Sequence, residues 1–327
     1  MKNKKAIVLL QFGGPDSLDA VKPFLFNLFK DPDIVQFPGG MLTQRLFAFA
    51  ISTLRFKKLQ QKYSEIGGRS PITETTFKQR DALQQAMDLH YGKDEVLVTV
   101  AMRYWKPETS VTINELIKKG ITDILLLPLY AQYSVTNAGS AFNEWDRQVA
   151  KLNATFNDRR VKHYHKNPTY IQSFQERIQQ ALEKFNSNEN IYILFSAHGT
   201  PLDIVKKGDP YSEQIRETME LVVEPFRAQY KYGLSFQSKV GPKKWLEPDT
   251  EETIEHLIKE GKKKLLIVPI SFVSDHIETL HELNIEAREE AEEAGVEEFI
   301  VSEGLNISPT FIRALTEISV SELEHLI

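Results

Sequence analysis

Two stretches of this chain are near copies of each other. Residues Pro107 to Leu129 read PETSVTINELIKKGITDILLLPL, and Pro248 to Ile270 read PDTEETIEHLIKEGKKKLLIVPI; aligned without gaps, ten of the 23 positions are identical. The shared pieces are a Pro-acid-Thr helix start, an Ile/Leu face, a glycine helix stop and an apolar strand ending in proline. A weaker echo links LLQFGGPDS (Leu9–Ser17) to LFSAHGTPLD (Leu194–Asp203), with Gly13 opposite Gly199 and Pro15 opposite Pro201. A duplicated helix–strand unit restricts the chain to two similar α/β halves.

The rest of the pattern agrees. Strands are expected at Ala6–Leu10, Glu95–Ala101, Ile124–Leu129, Ile191–Ser196, Gly233–Gln237 and Leu265–Phe272. Most are unbroken apolar runs, as suits strands covered on both faces. Amphipathic stretches lie between them, at Ile72–Leu89, Ser110–Lys119, Tyr170–Phe185, Pro210–Ala228 and Thr250–Glu260, with a last helix over Pro309–Leu326. Such alternation predicts parallel sheets flanked by helices. The first lobe is expected to cover residues 1–140 plus the C-terminal segment 304–327, and the second 141–303, with an active-site cleft between them. Ligands of open α/β sheets bind at the carboxyl ends of strands. Gln11, Tyr130, His198 and the run Asp275 to Glu278 occupy such ends.

Composition narrows the chemistry. The chain has no cysteine, which removes disulfides, thiolate zinc sites, cysteine-ligated iron–sulfur clusters and cysteine nucleophiles. Any metal must be held by His or oxygen ligands. A net charge of −5 without a basic block argues against a general nucleic-acid binder. The start, Met1-Lys2-Asn3-Lys4-Lys5, leads directly into a strand, and no run is long enough to span a bilayer. The expected location is the cytoplasm.

His198, in LFSAHGTP, follows a strand and precedes a glycine turn, where an imidazole either points into a cleft or bonds a nearby carbonyl. Glu278, Glu282 and Glu286 are spaced i, i+4, i+8 and on an α-helix would form one acidic row. Like charges so placed repel, so the row is either a solvated face or a place that a cation visits. QFGGPDS and SEIGGRSPI lack the spacing of phosphate-binding loops. His163-Tyr164-His165 has metal-like spacing without an evident carboxylate, and is expected as a strand end or loop. Residues 41–59, MLTQRLFAFAISTLRFKKL, read as a helix apolar around much of its girth and flanked by Arg45, Arg55, Lys57 and Lys58. It is either a core helix or a greasy lip that covers an apolar ligand or touches a bilayer. Imidazole, carboxylates, aromatics and a cleft suit binding a divalent metal and taking protons from a weak acid.

These stretches together resemble the ferrochelatases, which insert ferrous iron into a porphyrin in haem synthesis. The resemblance covers nearly the whole chain and rests on LLQFGGPD, IGGRSPI, AMRYWKP, LPLYAQYS, FSAHGTP, GDPY, SKVGPKKWLEPDT and VPISFVSDHIETLHELNIE. It implies two Rossmann-like lobes, each with a four-stranded parallel sheet. It implies that His198 is the active-site histidine, as proton acceptor or metal ligand, with Glu278 as its partner across the porphyrin. Asp275 and His276 would form a supporting polar network, and Glu282 and Glu286 an acidic path for protons or metal. Arg103, Tyr104, Tyr130, Ser134 and Trp245 resemble porphyrin-pocket residues, and Phe12 stands where some relatives carry Met. Glu247 stands where glycine is common. QYSVTNAGS is more similar to the enzymes that use protoporphyrin IX than to those that use coproporphyrin III.

The chemistry fits the residues. A free-base porphyrin must tilt its pyrroles and lose two N–H protons before a metal enters. Apolar walls supply the grip, and imidazole and carboxylate supply bases and iron ligands. Ferrous iron is then a substrate, with no fixed cofactor and no iron–sulfur cluster. Beyond the two substrates, the further partner the sequence points to is a membrane surface touched peripherally, with no nucleic acid; it leaves the oligomeric state open. The alternative is a two-lobed haem- or metal-binding carrier without turnover.

Overall fold

The computed structural model describes residues 4–35, 39–239 and 243–326. The chain divides into two compact units. Unit 1 comprises residues 1–130, 134–163 and 315–327, and unit 2 comprises 131–133 and 164–314.

Unit 1 is built on β1 (Lys5–Gln11), β2 (Val96–Met102), β3 (Asp123–Pro128) and β4 (Asn157–Arg160), in the order β2-β1-β3-β4 with every pairing parallel. Its helices are α1 (Val21–Phe29), α2 (Gly40–Glu65), α3 (Ile72–Tyr91), α4 (Thr109–Lys118) and α5 (Ala138–Lys151). Unit 2 repeats the plan with β5 (Ile191–His198), β6 (Lys231–Gln237), β7 (Lys264–Pro269) and β8 (Glu298–Val301), in the order β6-β5-β7-β8 and again all parallel. Its helices are α6 (Pro168–Leu182), α7 (Leu202–Lys206), α8 (Tyr211–Val223), α9 (Thr250–Lys259), the π-helix Glu278–Glu286 and α10 (Ala287–Glu293). The last helix, α11 (Pro309–Glu324), is crossed by the division between the units.

The repeat maps onto this plan. Its first copy is α4 and β3, its second α9 and β7. The N–H of Leu129 bonds the carbonyl of Leu10, and the N–H of Ile270 that of Ser196, so both copies close against their central strand at the same place. Phe12 and His198 are then equivalent positions, each at the end of the central strand. The central strands are apolar because both faces are covered: Ala6 to Leu10 and Ile193 to Phe195 are almost wholly buried. Each such Leu, Ile or Phe contributes roughly 1.5–3 kcal/mol over leaving it exposed.

Four expectations are corrected. A boundary at 140/141 falls inside α5; the units divide at 163/164, because β4 completes the first sheet by pairing with β3. Residues 304–314, expected with the first lobe, lie in unit 2. The strand expected to reach Phe272 ends at Pro269; β4 is too short and too polar to stand out as a strand, and β8 is too short. Finally, the α-helical acidic row is a π-helix, in which the N–H of Ala287 bonds the carbonyl of Glu282 five residues back.

Candidate active site

The strand ends of unit 2 gather titratable groups. His198 is the last residue of β5, and its Nδ1 lies 2.9 Å from Glu278 Oε2. Glu278 opens the π-helix, to which the chain turns after leaving β7. His276 Nε2 is 3.7 Å from the other Glu278 oxygen, beyond hydrogen-bond length, and its ring packs on Phe272 with centroids 4.4 Å apart. Loss of water favours the neutral imidazole of His198, but the carboxylates of Glu278 and Glu282 outweigh it and raise its pKa above the usual 6.5. The same loss of water favours a neutral Glu278, yet His198 first and His276 after it hold that carboxyl well below its ordinary range. Below the usual imidazole value of 6.5 the pair is therefore an imidazolium and a carboxylate. The His198 side chain is 39% exposed, so an incoming group can reach it.

A residue not singled out from sequence completes the cluster. Ser238, one residue past β6, has φ +64, a left-handed backbone uncommon for a side-chain-bearing residue. Its Oγ lies 3.0 Å from Glu278 Oε2 and 2.7 Å from Glu282 Oε2. The hydroxyl carries one proton, which it donates to one carboxylate or shares between the two. Glu278 and Glu282 both stand on the π-helix and meet at this one hydroxyl.

Asp275 is engaged elsewhere. Its carboxylate accepts from Thr279 Oγ1 (3.0 Å), Asn306 Nδ2 (2.7 Å) and the Gly304 N–H, tying the loop after β7 to residues 304–306. Glu286 is apart from Ser238's contacts and lies 3.5 Å from His281 Nδ1. Trp245 packs on Gly199, where an added Cβ would stand 3.0 Å from the Gln237 carbonyl and 3.3 Å from the indole. A side chain at 199 would push this wall away from His198. Among the described residues no group of three or more His, Asp or Glu has metal-holding geometry. His165 is buried and meets Glu217 Oε2 at 2.7 Å, a partner that sequence spacing could not reveal.

Unit 1 gathers different groups at its strand ends. The guanidinium of Arg103 meets Asp31 Oδ2 at 2.7 Å and Ser140 Oγ at 2.9 Å, with Glu144 at 3.6 Å. Tyr104 donates to the same Asp31 oxygen at 2.6 Å, as Ser140 does at 2.8 Å. The Phe12 ring meets the Tyr104 ring edge-on, centroids 4.5 Å apart. Burial first, opposed by the Arg103 charge, pushes the Tyr130 phenol up and keeps it neutral. Ser134 is buried in the turn before α5, with its N–H on Asn137 Oδ1 and its hydroxyl 2.9 Å from Thr136 Oγ1. The pocket residues expected from AMRYWKP are thus held together by Asp31 and Ser140, which no spacing in the sequence marks.

On α2 the residues turned inward are Gln44, Ala48, Ser52 and Tyr63, while Met41, Leu42, Leu46, Phe49 and Leu54 are exposed. Gln44 bonds the carbonyls of Phe29 and Val35 at 2.7 Å each. The core-helix reading is therefore replaced by an outward apolar face. No helix among the described residues is long and apolar enough to cross a membrane.

Comparison with known proteins identifies the family and the fold. The ferrochelatase family model matches residues 4–323. The ferrochelatase of Aquifex aeolicus (strain VF5) is 46% identical over 98% of this chain and 100% of that one. The ferrochelatase of Geobacter metallireducens is 45% identical over 97% and 98%. Among solved structures, SirB from Bacillus subtilis with Fe3+ shares the fold, at TM-score 0.58 and 13% identity, over 98% of this chain and 95% of that one. The chain belongs to the ferrochelatase family.

Proposed function

We propose that this enzyme inserts ferrous iron into a free-base porphyrin to make haem, favouring protoporphyrin IX over coproporphyrin III, and that His198 and Glu278 take the pyrrole protons. The observation that carries the reading is the His198–Glu278 pair, 2.9 Å apart, with Ser238 bridging to Glu282. Porphyrin plus Fe2+ gives iron porphyrin plus two protons. Both protons must leave against the charge of an arriving dication, so the base must be able to pass a proton on. The approaching dication favours neutral His198, whose own proton leaves through Glu278. Glu278, ionised again, then takes the first pyrrole proton and neutral His198 the second. Ser238 hands protons from Glu278 to Glu282, and neutral His198 and Glu278 carboxylate are the iron ligands on the way in. Asp275 and His276 support this set, and Glu286 is the outer carboxylate of the path. Phe12, Tyr130 and Trp245 offer flat apolar contact to the ring, and buried Tyr104 backs Phe12. Arg103, engaged by Asp31 and Ser140, shapes the wall.

The test is anaerobic purified protein with ferrous iron and each porphyrin in parallel, with zinc as a second metal. Turnover with a higher kcat/KM for protoporphyrin IX is expected. Binding without insertion of either metal establishes a carrier instead. The exposed apolar face of α2, beside exposed Arg45, Arg55, Lys57 and Lys58, further supports peripheral contact with an anionic bilayer. Flotation with phosphatidylserine vesicles checks it: the protein should rise with them at low salt, and failure to do so leaves the face without a lipid role.

A further inference from the structure

The backbone of His198 is held in a way its counterpart in unit 1 is not. β7 stops at Pro269, and Ile270 gives the last rung to Ser196. His198 lies two residues beyond that rung, so no strand partner meets its N–H and C=O on that side. Two side chains replace the missing strand. Ser271 Oγ accepts the His198 N–H at 3.0 Å, and the Tyr211 phenol donates to the His198 carbonyl at 3.0 Å. Tyr211 is itself fixed, buried at the start of α8 with its N–H on Asp209 Oδ1 at 3.0 Å. At the equivalent Phe12, the N–H is taken by the neighbouring Gln11 side chain at 2.8 Å and the carbonyl accepts the Tyr104 backbone N–H at 3.0 Å, so no side chain from a distant element holds it.

We infer that Tyr211 and Ser271 are positioning residues for the reaction: they clamp the His198 backbone after its strand partner ends, and so fix where the imidazole stands against Glu278. A side chain at the end of an unpaired strand would otherwise move with the loop, and a displacement of about 1 Å at a reacting group costs on the order of a hundredfold in rate. Neither residue needs to touch a substrate for this.

The inference rests on the proposed metal insertion, and the test separates the two. Tyr211→Phe removes one oxygen from a filled site and should lower kcat by about tenfold to a hundredfold. KM for porphyrin and iron, and Tm, should stay near wild type. Ser271→Ala should act in the same direction, and Ser271→Thr, which keeps the hydroxyl, should recover most of the loss. In protein labelled with 15N-histidine and free of ligands, the His198 amide, assigned by its loss in His198→Ala, should shift in Tyr211→Phe while the other seven histidines stay. Wild-type kcat with an unmoved His198 amide overturns the clamp. So does a loss of kcat accompanied by lower Tm and general shifts, which marks ordinary packing. A shifted His198 amide in a protein that inserts no metal overturns the proposed function and leaves the clamp standing.

Discussion

Each unit carries an ion pair close to the end of its central strand, and the two are built to opposite ends. In unit 1, Arg103 is 9% exposed and Asp31 1%, and the shared Asp31 oxygen accepts from Arg103, Tyr104 and Ser140. In unit 2, His198 and Glu278 are partly exposed, and their outer partner is a hydroxyl shared with a further carboxylate. The folds around them repeat strand for strand. What differs is satisfaction. A buried charge with every bond filled has nothing to give a substrate and holds its neighbours still. A pair with an open side and a proton to share can do chemistry, at some cost to rigidity. The duplication supplies one half whose ion pair is closed and one half whose ion pair is open.

The largest effect expected from breaking this contrast is on the open pair. Glu278→Gln keeps shape and hydrogen-bonding capacity but cannot accept a proton, and kcat should fall by about a thousandfold or more while the urea midpoint changes little. Glu282→Gln should cost about tenfold, mainly at limiting iron, and Glu286→Gln less still, since it acts only through its field. Steady-state kinetics of the three variants decide it. Equal activity of Glu282→Gln and wild type at limiting iron would remove Ser238 and Glu282 from the proton route.

Breaking the closed pair should show the reverse order. Asp31→Asn leaves buried Arg103 with only the longer contact to Glu144 as counter-charge and should cost about 3–5 kcal/mol of stability. A urea denaturation series reads this directly. Asp31→Leu with Arg103→Met, which removes both charges, should recover much of it. If Asp31→Asn unfolds like wild type and loses only activity, the pair is not closed in the sense argued here.

The sequence showed more of the plan than of the contacts. A ten-identity repeat revealed two similar halves because helix spacing and apolar runs are local signals, readable in order along the chain. β4 (NDRR) escaped because an edge strand with polar side chains has no such signal. The acidic row was read at α-helical spacing, since nothing local distinguishes a π winding that tertiary contacts impose on Glu278–Glu286. His198 and Glu278, eighty residues apart, could be joined only through resemblance to a family. Ser238, Tyr211 and Asp31 belong to the same problem. A serine bridging two carboxylates, a phenol on a carbonyl and a carboxylate under an arginine are all common residues whose roles exist only in three dimensions. Resemblance marked Arg103 as a pocket residue, while its bonds to Asp31 and Ser140 make it a fixed part of the wall.

The smallest expected effect is the most diagnostic of the open pair, because it follows the pair's own titration. His198 is raised above its usual 6.5 by Glu278 and Glu282, against the pull of burial. A raised imidazole contributes stability that is complete below the unfolded value and is lost as pH rises through the folded one. Glu278 is held well below its usual 4.5 by His198 and His276, against the same pull. A depressed carboxyl contributes stability that is complete above the unfolded value and is lost as pH falls through the folded one. The two windows overlap between the ordinary values, from about pH 4.5 to about pH 6.5. The difference in Tm between wild type and Glu278→Gln should therefore peak there and shrink on either side. High salt should lower the peak only partly, since the pair is recessed enough to limit screening. Thermal melts of both proteins across pH, without metal or porphyrin, measure it. A difference that is flat with pH would mean that Glu278 stabilises the fold through neutral contacts alone, and that the resting site does not hold the imidazolium–carboxylate pair on which the proton transfer depends.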